Sequence, residues 1–162
     1  MGRIGFYPCC ASDICEPSIA LTGLVDEIVF CDKNGHFRDY RDLGIDGPSR
    51  SFWRMDLRDA LKKISHIDVF FYRRDGMAEG GSGVFVLGHE VFPMVLSKMS
   101  AEHCLILTDG SNSRGGTFRK MQRNSGLISC GKHITKRSEQ RFLAMGVLEF
   151  DVRPAAVAQG KN

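Results

Sequence analysis

Short apolar segments alternate with segments of helical spacing along most of the chain, and this alternation limits the possible folds more than any other feature. The apolar segments have the length and the β-branched or aromatic content of strands at 3–7, 27–31, 51–55, 66–72 and 104–108. The segment HIDVFFY, 66–72, is apolar on both faces, as in a central strand that is covered on each side. Alternating strands and helices predict an α/β domain with a doubly wound, mostly parallel sheet.

The remaining segments complete this pattern. Helices are predicted at 16–23, 57–64, 84–99, 117–124 and 136–145. Two more strands are predicted at 127–130 and 147–152, which gives a sheet of about six or seven strands. At 162 residues the chain has the size of one domain, which we place at 1–154, followed by a frayed tail at 155–162.

Hydropathy and the positions of the cysteines indicate the cellular compartment in which the protein is expected. No apolar run approaches the ~20 residues that span a bilayer. The N-terminal MGRIGFYP has no apolar signal core, so we expect a cytoplasmic protein without a membrane partner. The six cysteines lie mostly in apolar stretches, as buried thiols do in a reducing compartment. A metal cluster at Cys9, Cys10 and Cys15 is the alternative, but their spacing is not CxxC and we expect no metal site.

Charge is distributed unevenly along the chain, whose net charge is +3. Residues 110–141, which we call the basic segment, contain eight basic residues against Glu139, so the segment carries +7 and the rest of the chain −4. Such asymmetry indicates a face that attracts nucleic acid, an acidic protein or phosphate, or else a solvated surface. The basic residues are Arg114, Arg119, Lys120, Arg123, Lys132, Lys136, Arg137 and Arg141.

The sequence IGFYPCCASDI, 4–14, is an apolar strand followed by a turn of small residues and an acid. Ligands bind at the carboxyl ends of the strands in open parallel sheets. The small side chains of the turn CCAS, 9–12, let backbone N–H groups approach a ligand. These residues lack the freedom of glycine at positive φ, so we expect ordinary dihedral angles in the turn. Acids also follow the second and third predicted strands, at Asp32 and Asp56.

The order of a first strand, a small-residue turn, EIVFCD, FWRMD, IDVFFY and LILTD resembles the Rossmann-like S-adenosylmethionine-dependent methyltransferases. The resemblance implies that the turn lies under the methionine part of S-adenosylmethionine, that Asp32 binds the ribose hydroxyls and that Asp56 lies near the adenine. It also implies an antiparallel strand pair within 127–152. The implied cofactor-binding residues are Tyr7, Pro8, Cys9, Cys10, Ala11, Ser12, Asp13, Asp32 and Asp56.

Polar residues after the fourth and fifth predicted strands are the candidates for catalysis. We expect Tyr72, Asp75 or Asp109 to act as a base or to orient the substrate. The neighbouring Arg73 and Arg74 have side chains that grip a carboxylate or phosphate, and the alternative is a pair of surface arginines.

Simpler roles stay open for several of these residues. Asp13 fits the cap of the following helix, and Asp32 and Asp56 fit caps or turns. A thiol at a helix start often has a lowered pKa, which makes Cys9 and Cys10 alternative nucleophiles. The glycine-rich loop 78–83 fits an anion cradle, a lid or a linker.

Two functions follow from these patterns. The first is a small methyltransferase-like protein that binds S-adenosylmethionine at the carboxyl ends of its first, second and fourth strands. The alternative is a catalytically degenerate protein of the same fold, such as one from a mobile element. That protein would bind nucleic acid or an acidic protein through the basic segment.

Overall fold

The computed structural model describes residues 2–35, 37–40, 44, 46–76 and 82–156. The strands are β1 (Ile4–Pro8), β2 (Glu27–Cys31), β3 (Ser49–Trp53), β4 (Val69–Tyr72), β5 (Cys104–Thr108), β6 (Leu127–Ser129), β7 (Lys132–Lys136) and β8 (Leu148–Pro154). The α-helices are α1 (Cys15–Ala20), α2 (Leu57–Lys63), α3 (Phe92–Lys98) and α4 (Thr117–Gln122). Single 3₁₀ turns lie at Phe37–Tyr40 and Leu143–Met145.

All eight strands form one mixed sheet in the order β3-β2-β1-β4-β5-β8-β7-β6. The strands β1 to β5 are parallel, and β8, β7 and β6 are added to β5 by antiparallel pairing. The strand order therefore reverses between β1 and β4. β1 pairs with β4 at Gly5 and Phe6, whereas its pairing with β2 continues to Pro8. A crevice at the carboxyl ends of β1 and β4 follows from this geometry.

Apolar side chains fill both faces of the sheet. On one face, Phe70 of β4 packs in a core that includes Leu61 of α2 and Leu96 of α3. On the other face, Phe71 belongs to a core with Ile14 and Leu21, at the two ends of α1. Successive residues of a strand point to opposite faces, so a strand covered on both sides is apolar throughout. The α/β class and the central position of β4 are therefore confirmed.

Two predictions for the C-terminal third of the chain, the number of strands and a helix, are wrong. The sheet has eight strands instead of six or seven, because 132–136, KHITK, forms β7. Only Ile134 of this strand is fully buried, which weakens its apolar pattern. Cys130 and Gly131 have φ of 52° and 72° and join β6 to β7. This is a two-residue turn with positive φ at both positions, as in a hairpin.

The helix predicted at 136–145 is also wrong. The buried carboxylate of Glu149 accepts the Arg141 N–H at 2.6 Å. The Gln140 side chain in turn accepts the Glu149 N–H at 2.8 Å. These bonds to β8 hold 137–142 in an irregular path, because tertiary hydrogen bonds override local helical preference. Only the turn at Leu143–Met145 is helical.

The helix predicted at 84–99 is much shorter. Helix α3 starts at Phe92, with Pro93 in its first turn, where the missing N–H of proline costs nothing. The residues before it form tight turns, including a Gly88 N–H bond to the Phe85 carbonyl at 2.9 Å. The tail predicted from 155 lies outside the described residues from 157 onward. No helix in the described part of the chain is long and apolar enough to cross a membrane.

Two glycines beside the β6–β7 hairpin give a matched test of its packing. Gly126 and Gly131 have φ of 70° and 72°, so alanine is conformationally strained at both. A Cβ at Gly126 would overlap the backbone oxygen of Ile134, whereas one at Gly131 meets nothing within 4 Å. We expect Gly131→Ala to cost about 1 kcal/mol and Gly126→Ala about 1–3 kcal/mol more. Urea unfolding measures both, and equal losses would contradict this packing.

Candidate functional site

A cavity of about 670 Å³ opens at the carboxyl ends of β1 to β4 and has the size of a small-molecule site. It lies at the predicted place, where the loops after these strands meet. Its polar walls include Asp32, Asp56, Asp75 and Arg74, and its apolar walls include Met55, Leu57 and Val84. The other lining residues are Cys9, Ala11, Ser12, Cys31, Lys33, Asn34, Gly35, Tyr40, Gly76 and Ser82.

Asp32 links two of these loops. Its Oδ2 accepts the Ala11 N–H at 2.9 Å, and its Oδ1 accepts the Asn34 N–H at 2.8 Å. It follows β2 directly, and its own N–H bonds the Trp53 carbonyl at 3.1 Å. A carboxylate oxygen has two lone pairs, so each oxygen of Asp32 has a second lone pair without a partner among the described residues, and Asp32 lines the cavity.

The turn after β1 contradicts the expectation of ordinary dihedral angles. Cys9 and Ala11 have φ of 56° and 49°, in the left-handed region. Outside glycine this conformation costs on the order of 1–3 kcal/mol per residue, and such residues cluster at functional sites. Two tertiary hydrogen bonds hold the turn: Ala11 to Asp32, and the Cys10 N–H to the Cys31 carbonyl at 3.3 Å. The turn therefore has the backbone shape of a glycine loop without glycine.

Asp13 and Arg73 form an ion pair behind this turn. The Arg73 side chain is 1% exposed and donates from Nε and Nη2 to the two Asp13 oxygens at 2.7 and 2.8 Å. Its Nη1 reaches Glu16 at 2.7 Å and the Met145 carbonyl at 2.7 Å. Arg73 thus joins the first turn, α1, β4 and the C-terminal segment. Neither the predicted anion-binding role of Arg73 nor its alternative as a surface arginine fits this burial.

Tyr7 completes the cluster by donating its hydroxyl to Asp13 at 2.6 Å. Burial acts to raise the pKa of Asp13, but the hydrogen bonds from Arg73 and Tyr7 hold that pKa below its ordinary value. The capping role considered for Asp13 is wrong, because Ile14 is the N-cap of α1 and no side chain accepts a capping hydrogen bond there. Tyr7, Pro8, Cys10 and Asp13 do not line the cavity, and their contact with a ligand stays a prediction.

Tyr72 and Asp75 form a second buried cluster, at the cavity edge. The Tyr72 hydroxyl donates to Asp75 at 2.5 Å, and Asp75 also accepts the N–H of Ser82 at 2.7 Å and its hydroxyl. Burial, followed by the hydrogen bond to Asp75, raises the pKa of Tyr72 far above its ordinary value. Tyr72 is therefore a neutral donor that lies outside the cavity lining, whereas Asp75 lines the cavity and is fixed by Tyr72.

Asp109 lies outside the cavity and holds the neighbouring loop. It accepts the Arg74 N–H at 2.8 Å and the Ser111 N–H at 2.9 Å. Arg74 adopts a φ of 62°, and its side chain lines the cavity.

Asp56 accepts the Arg58 N–H at 2.8 Å as the N-cap of α2, which confirms the capping alternative. It also lines the cavity, so its contact with a ligand stays a prediction.

The thiols beside the cavity are not activated. Burial raises the pKa of Cys9 and of Cys31 to about 12, and it raises the pKa of Cys10 well above its ordinary value. The alternative of a nucleophile with a lowered pKa at Cys9 or Cys10 does not fit these raised pKa values. Among the described residues, no group of three His, Cys, Asp or Glu side chains is placed to hold a metal ion.

Thiol labelling tests this environment directly. Cys15 and Cys130 are exposed, whereas Cys10, Cys31 and Cys104 are buried and Cys9 is half-buried. With N-ethylmaleimide at pH 7 we expect Cys15 and Cys130 to react at least about tenfold faster than the others, because the thiolate is the reactive species. Peptide mass spectrometry gives the order of labelling. Rapid labelling of Cys9 would contradict the raised pKa.

The basic residues of the basic segment form two groups, two that make ion pairs and six that make none with described residues. Arg137 contacts Asp151 at 2.9 Å, and Arg141 contacts the buried Glu149 at 2.8 Å. The other basic residues form no ion pair with any residue that the structure describes. Two of them lie on α4 and two on β7, and none lines the 670 Å³ cavity. They are Arg114, Arg119, Lys120, Arg123, Lys132 and Lys136.

Comparison of the sequence with models of known protein families gives no match, and comparison with curated proteins gives none either. The functional assignment therefore depends on the cavity and its residues. Sequence reasoning placed Cys9, Ala11, Ser12, Asp32, Asp56, Arg74 and Asp75 at a ligand site, and the structure brings them together. It missed Asn34, Tyr40, Met55 and Val84, and of these only Met55 lies within a quoted segment, FWRMD.

Proposed function

We propose that the protein is a small, Rossmann-like, S-adenosylmethionine-dependent methyltransferase-like protein, with the cofactor bound in the 670 Å³ cavity. The observation that carries the proposal is Asp32: a carboxylate at the end of the second strand, fixed by two backbone N–H groups, with acceptor positions left at the cavity wall. A carboxylate so placed accepts hydrogen bonds from ribose hydroxyls.

The sheet topology supports this assignment. The crevice lies where the strand order reverses between β1 and β4, which is where open α/β sheets bind ligands. The reversed strand β8 beside β5, followed by β7, is the antiparallel closure that the resemblance implies within 127–152.

The polar groups of the cavity favour a ligand without phosphate. Phosphate sites in such folds use free N–H groups of the first turn and the start of a long helix. Here the N–H groups of Cys10, Ala11 and Asp13 are already bonded within the protein, and α1 has six residues. The Ser82 N–H, in the glycine-rich loop considered for an anion, donates to Asp75. Residues 77–81 of that loop lie outside the described part.

The charges of the cavity walls also favour a ligand without phosphate. The cavity walls carry the carboxylates of Asp32, Asp56 and Asp75 against the cations of Lys33 and Arg74. This balance suits a cationic ligand that presents hydroxyl donors better than it suits a polyphosphate. The apolar surfaces of Met55, Leu57 and Val84 provide the contacts that an adenine ring needs.

The protein groups needed for methyl transfer are few. Bound S-adenosylmethionine would supply an activated methyl group on its sulfonium, so the chain contributes binding, orientation and a proton acceptor. Asp75 is the candidate acceptor, because it lines the cavity and its orientation is fixed by Tyr72 and Ser82. Asp109 instead holds backbone N–H groups.

Calorimetry and thermal denaturation test the cofactor assignment. We expect S-adenosylmethionine and S-adenosylhomocysteine to bind the whole chain at one site and to raise its melting temperature, because a ligand that binds only the folded state stabilises it. Adenosine diphosphate, which carries the same nucleoside with phosphate, should bind more weakly. The absence of heat and of any melting shift at millimolar S-adenosylhomocysteine would overturn the proposal.

A second candidate function is supported by the basic surface. Arg119 and Lys120 on α4 and Lys132 and Lys136 on β7 make no ion pairs with described residues, so a polyanion would find free cations there. A protein that binds nucleic acid through them should lose affinity steeply as salt rises. Binding that is absent, or insensitive to salt, would exclude nucleic acid and leave an acidic protein as the partner.

A further inference from the structure

A second, smaller pocket of about 140 Å³ lies beside the main cavity at the same edge of the sheet. Three separate segments build it: Arg58 from α2, the turn 83–91 after β4, and Arg114 from the loop after β5. The neighbouring Leu57 and the shared Val84 line the main cavity, so the two spaces adjoin. Taking about 30 Å³ as the volume of a water molecule, the pocket holds a group of about four or five non-hydrogen atoms.

Arg114 is held in place by an aromatic ring. Its guanidinium lies 4.9 Å from the centre of the Phe85 ring, and its side chain makes no hydrogen bond or ion pair with a described residue. Contact with a ring face leaves the in-plane N–H donors of a guanidinium free. Gly88 allows this packing: a Cβ there would meet the Phe85 Cβ at 3.0 Å and the Arg114 Cβ at 3.5 Å.

Arg58 provides a second cation with only weak internal partners. Its guanidinium is 3.5 Å from Asp56 and 3.9 Å from Glu90, and both its own side chain and that of Glu90 are well exposed. Among the described residues that line the pocket, two arginines are thus opposed by one carboxylate, that of Glu90. A guanidinium fork with free donors is the preferred partner of a planar or tetrahedral oxyanion.

We propose that this pocket binds an oxyanion, a phosphate or carboxylate group, through Arg58 and Arg114, and that the group belongs to the methyl acceptor. The assignment of the group to the acceptor rests on the proposed function, because the pocket adjoins the cavity assigned to the cofactor. The acceptor is then an anionic molecule whose charged end lies over Phe85 and whose reacting end points into the main cavity. Asp75 lines that cavity.

Amide NMR of the full chain tests this proposal with simple probes. Inorganic phosphate and acetate are titrated separately at constant ionic strength, with the Phe85, Gly88 and His89 amides as reporters. We expect saturable shifts at millimolar concentration for at least one anion. Arg114→Ala should raise the Kd at least about tenfold, because hydrogen bonds to charged groups are strong. The matched variant Arg153→Ala, at an exposed position of β8, should not change it.

A variant that binds anions more tightly separates a true effect on the pocket from misfolding. Glu90→Gln removes the one carboxylate among the described residues that line the pocket, so we expect about threefold tighter anion binding, an effect that damage to the fold would not produce. If only phosphate binds, the group is a phosphate, and if only acetate binds, it is a carboxylate. Either result supports the proposal that the pocket binds an oxyanion. No saturable shift, or equal losses for Arg114→Ala and Arg153→Ala, overturns it. S-adenosylhomocysteine is titrated separately; its failure to bind overturns the cofactor assignment alone.

Discussion

Replacing Arg73 with leucine is expected to lower the free energy of unfolding by about 3–5 kcal/mol, because it leaves the half-buried Asp13 carboxylate without its cation. The side chain of Arg73 is 1% exposed and has two bonds to Asp13, one to Glu16 and one to the Met145 carbonyl. Urea or thermal unfolding measures the loss. The adjacent exposed residue gives a matched control: Arg74→Leu should change stability by no more than about 0.5 kcal/mol.

Two further measurements distinguish lost charge pairing from lost packing. Adding Asp13→Asn to Arg73→Leu should recover part of the loss, because the unpaired charge is then removed. The pKa of Asp13 is lowered in the folded protein, so the stabilisation is complete above the ordinary aspartate pKa and is lost as pH falls through the lowered value. The difference between Arg73→Leu and the original chain should therefore shrink as pH falls below the ordinary aspartate pKa. A pH-independent difference would contradict the ion-pair explanation.

Replacing Asp32 with asparagine is expected to weaken S-adenosylhomocysteine binding by about 10- to 100-fold, because hydrogen bonds to a charged group contribute about 1.5–3 kcal/mol. Asparagine also replaces one acceptor oxygen with an N–H₂ group, so one of the bonds from Ala11 and Asn34 is lost. We expect the turn after β1 to loosen, since Ala11 has a φ of 49° and Asp32 holds it there.

The control for Asp32→Asn lies at the other end of the same strand. Asp26 precedes β2 and accepts the Arg3 N–H at 2.8 Å, away from the main cavity. Asp26→Asn makes the same chemical change and should leave the affinity for S-adenosylhomocysteine unchanged. Calorimetry of the two variants gives the comparison. Equal affinities in both would remove Asp32 from the site.

The positions of the acids could be predicted, but the shape of the turn beside them could not. Asp32 and Asp56 follow apolar strands, and the carboxyl ends of parallel strands share one edge, so the sequence pattern alone places them together. The positive φ of Cys9 and Ala11 depends on bonds to Asp32 and Cys31, which are more than twenty positions away. Local sequence preference does not contain such information.

The sequence also did not show which charged side chains are buried. The segment YRRD, 72–75, looks like a polar loop, yet Arg73 is buried behind the first turn while Arg74 lines the cavity. The difference arises because Arg73 finds Asp13, Glu16 and a carbonyl, which compensate its desolvation. In the C-terminal part, the pairing of Arg141 with the buried Glu149 is found where a helix was predicted.

A crystal structure of the protein grown with saturating S-adenosylhomocysteine tests the central claim most directly. We expect ligand density in the 670 Å³ cavity, above the turn at Cys9–Ser12, with the ribose hydroxyls within hydrogen-bond distance of the Asp32 carboxylate. Density for the ligand at another place, with Asp32 still bonded only to Ala11 and Asn34, would contradict it.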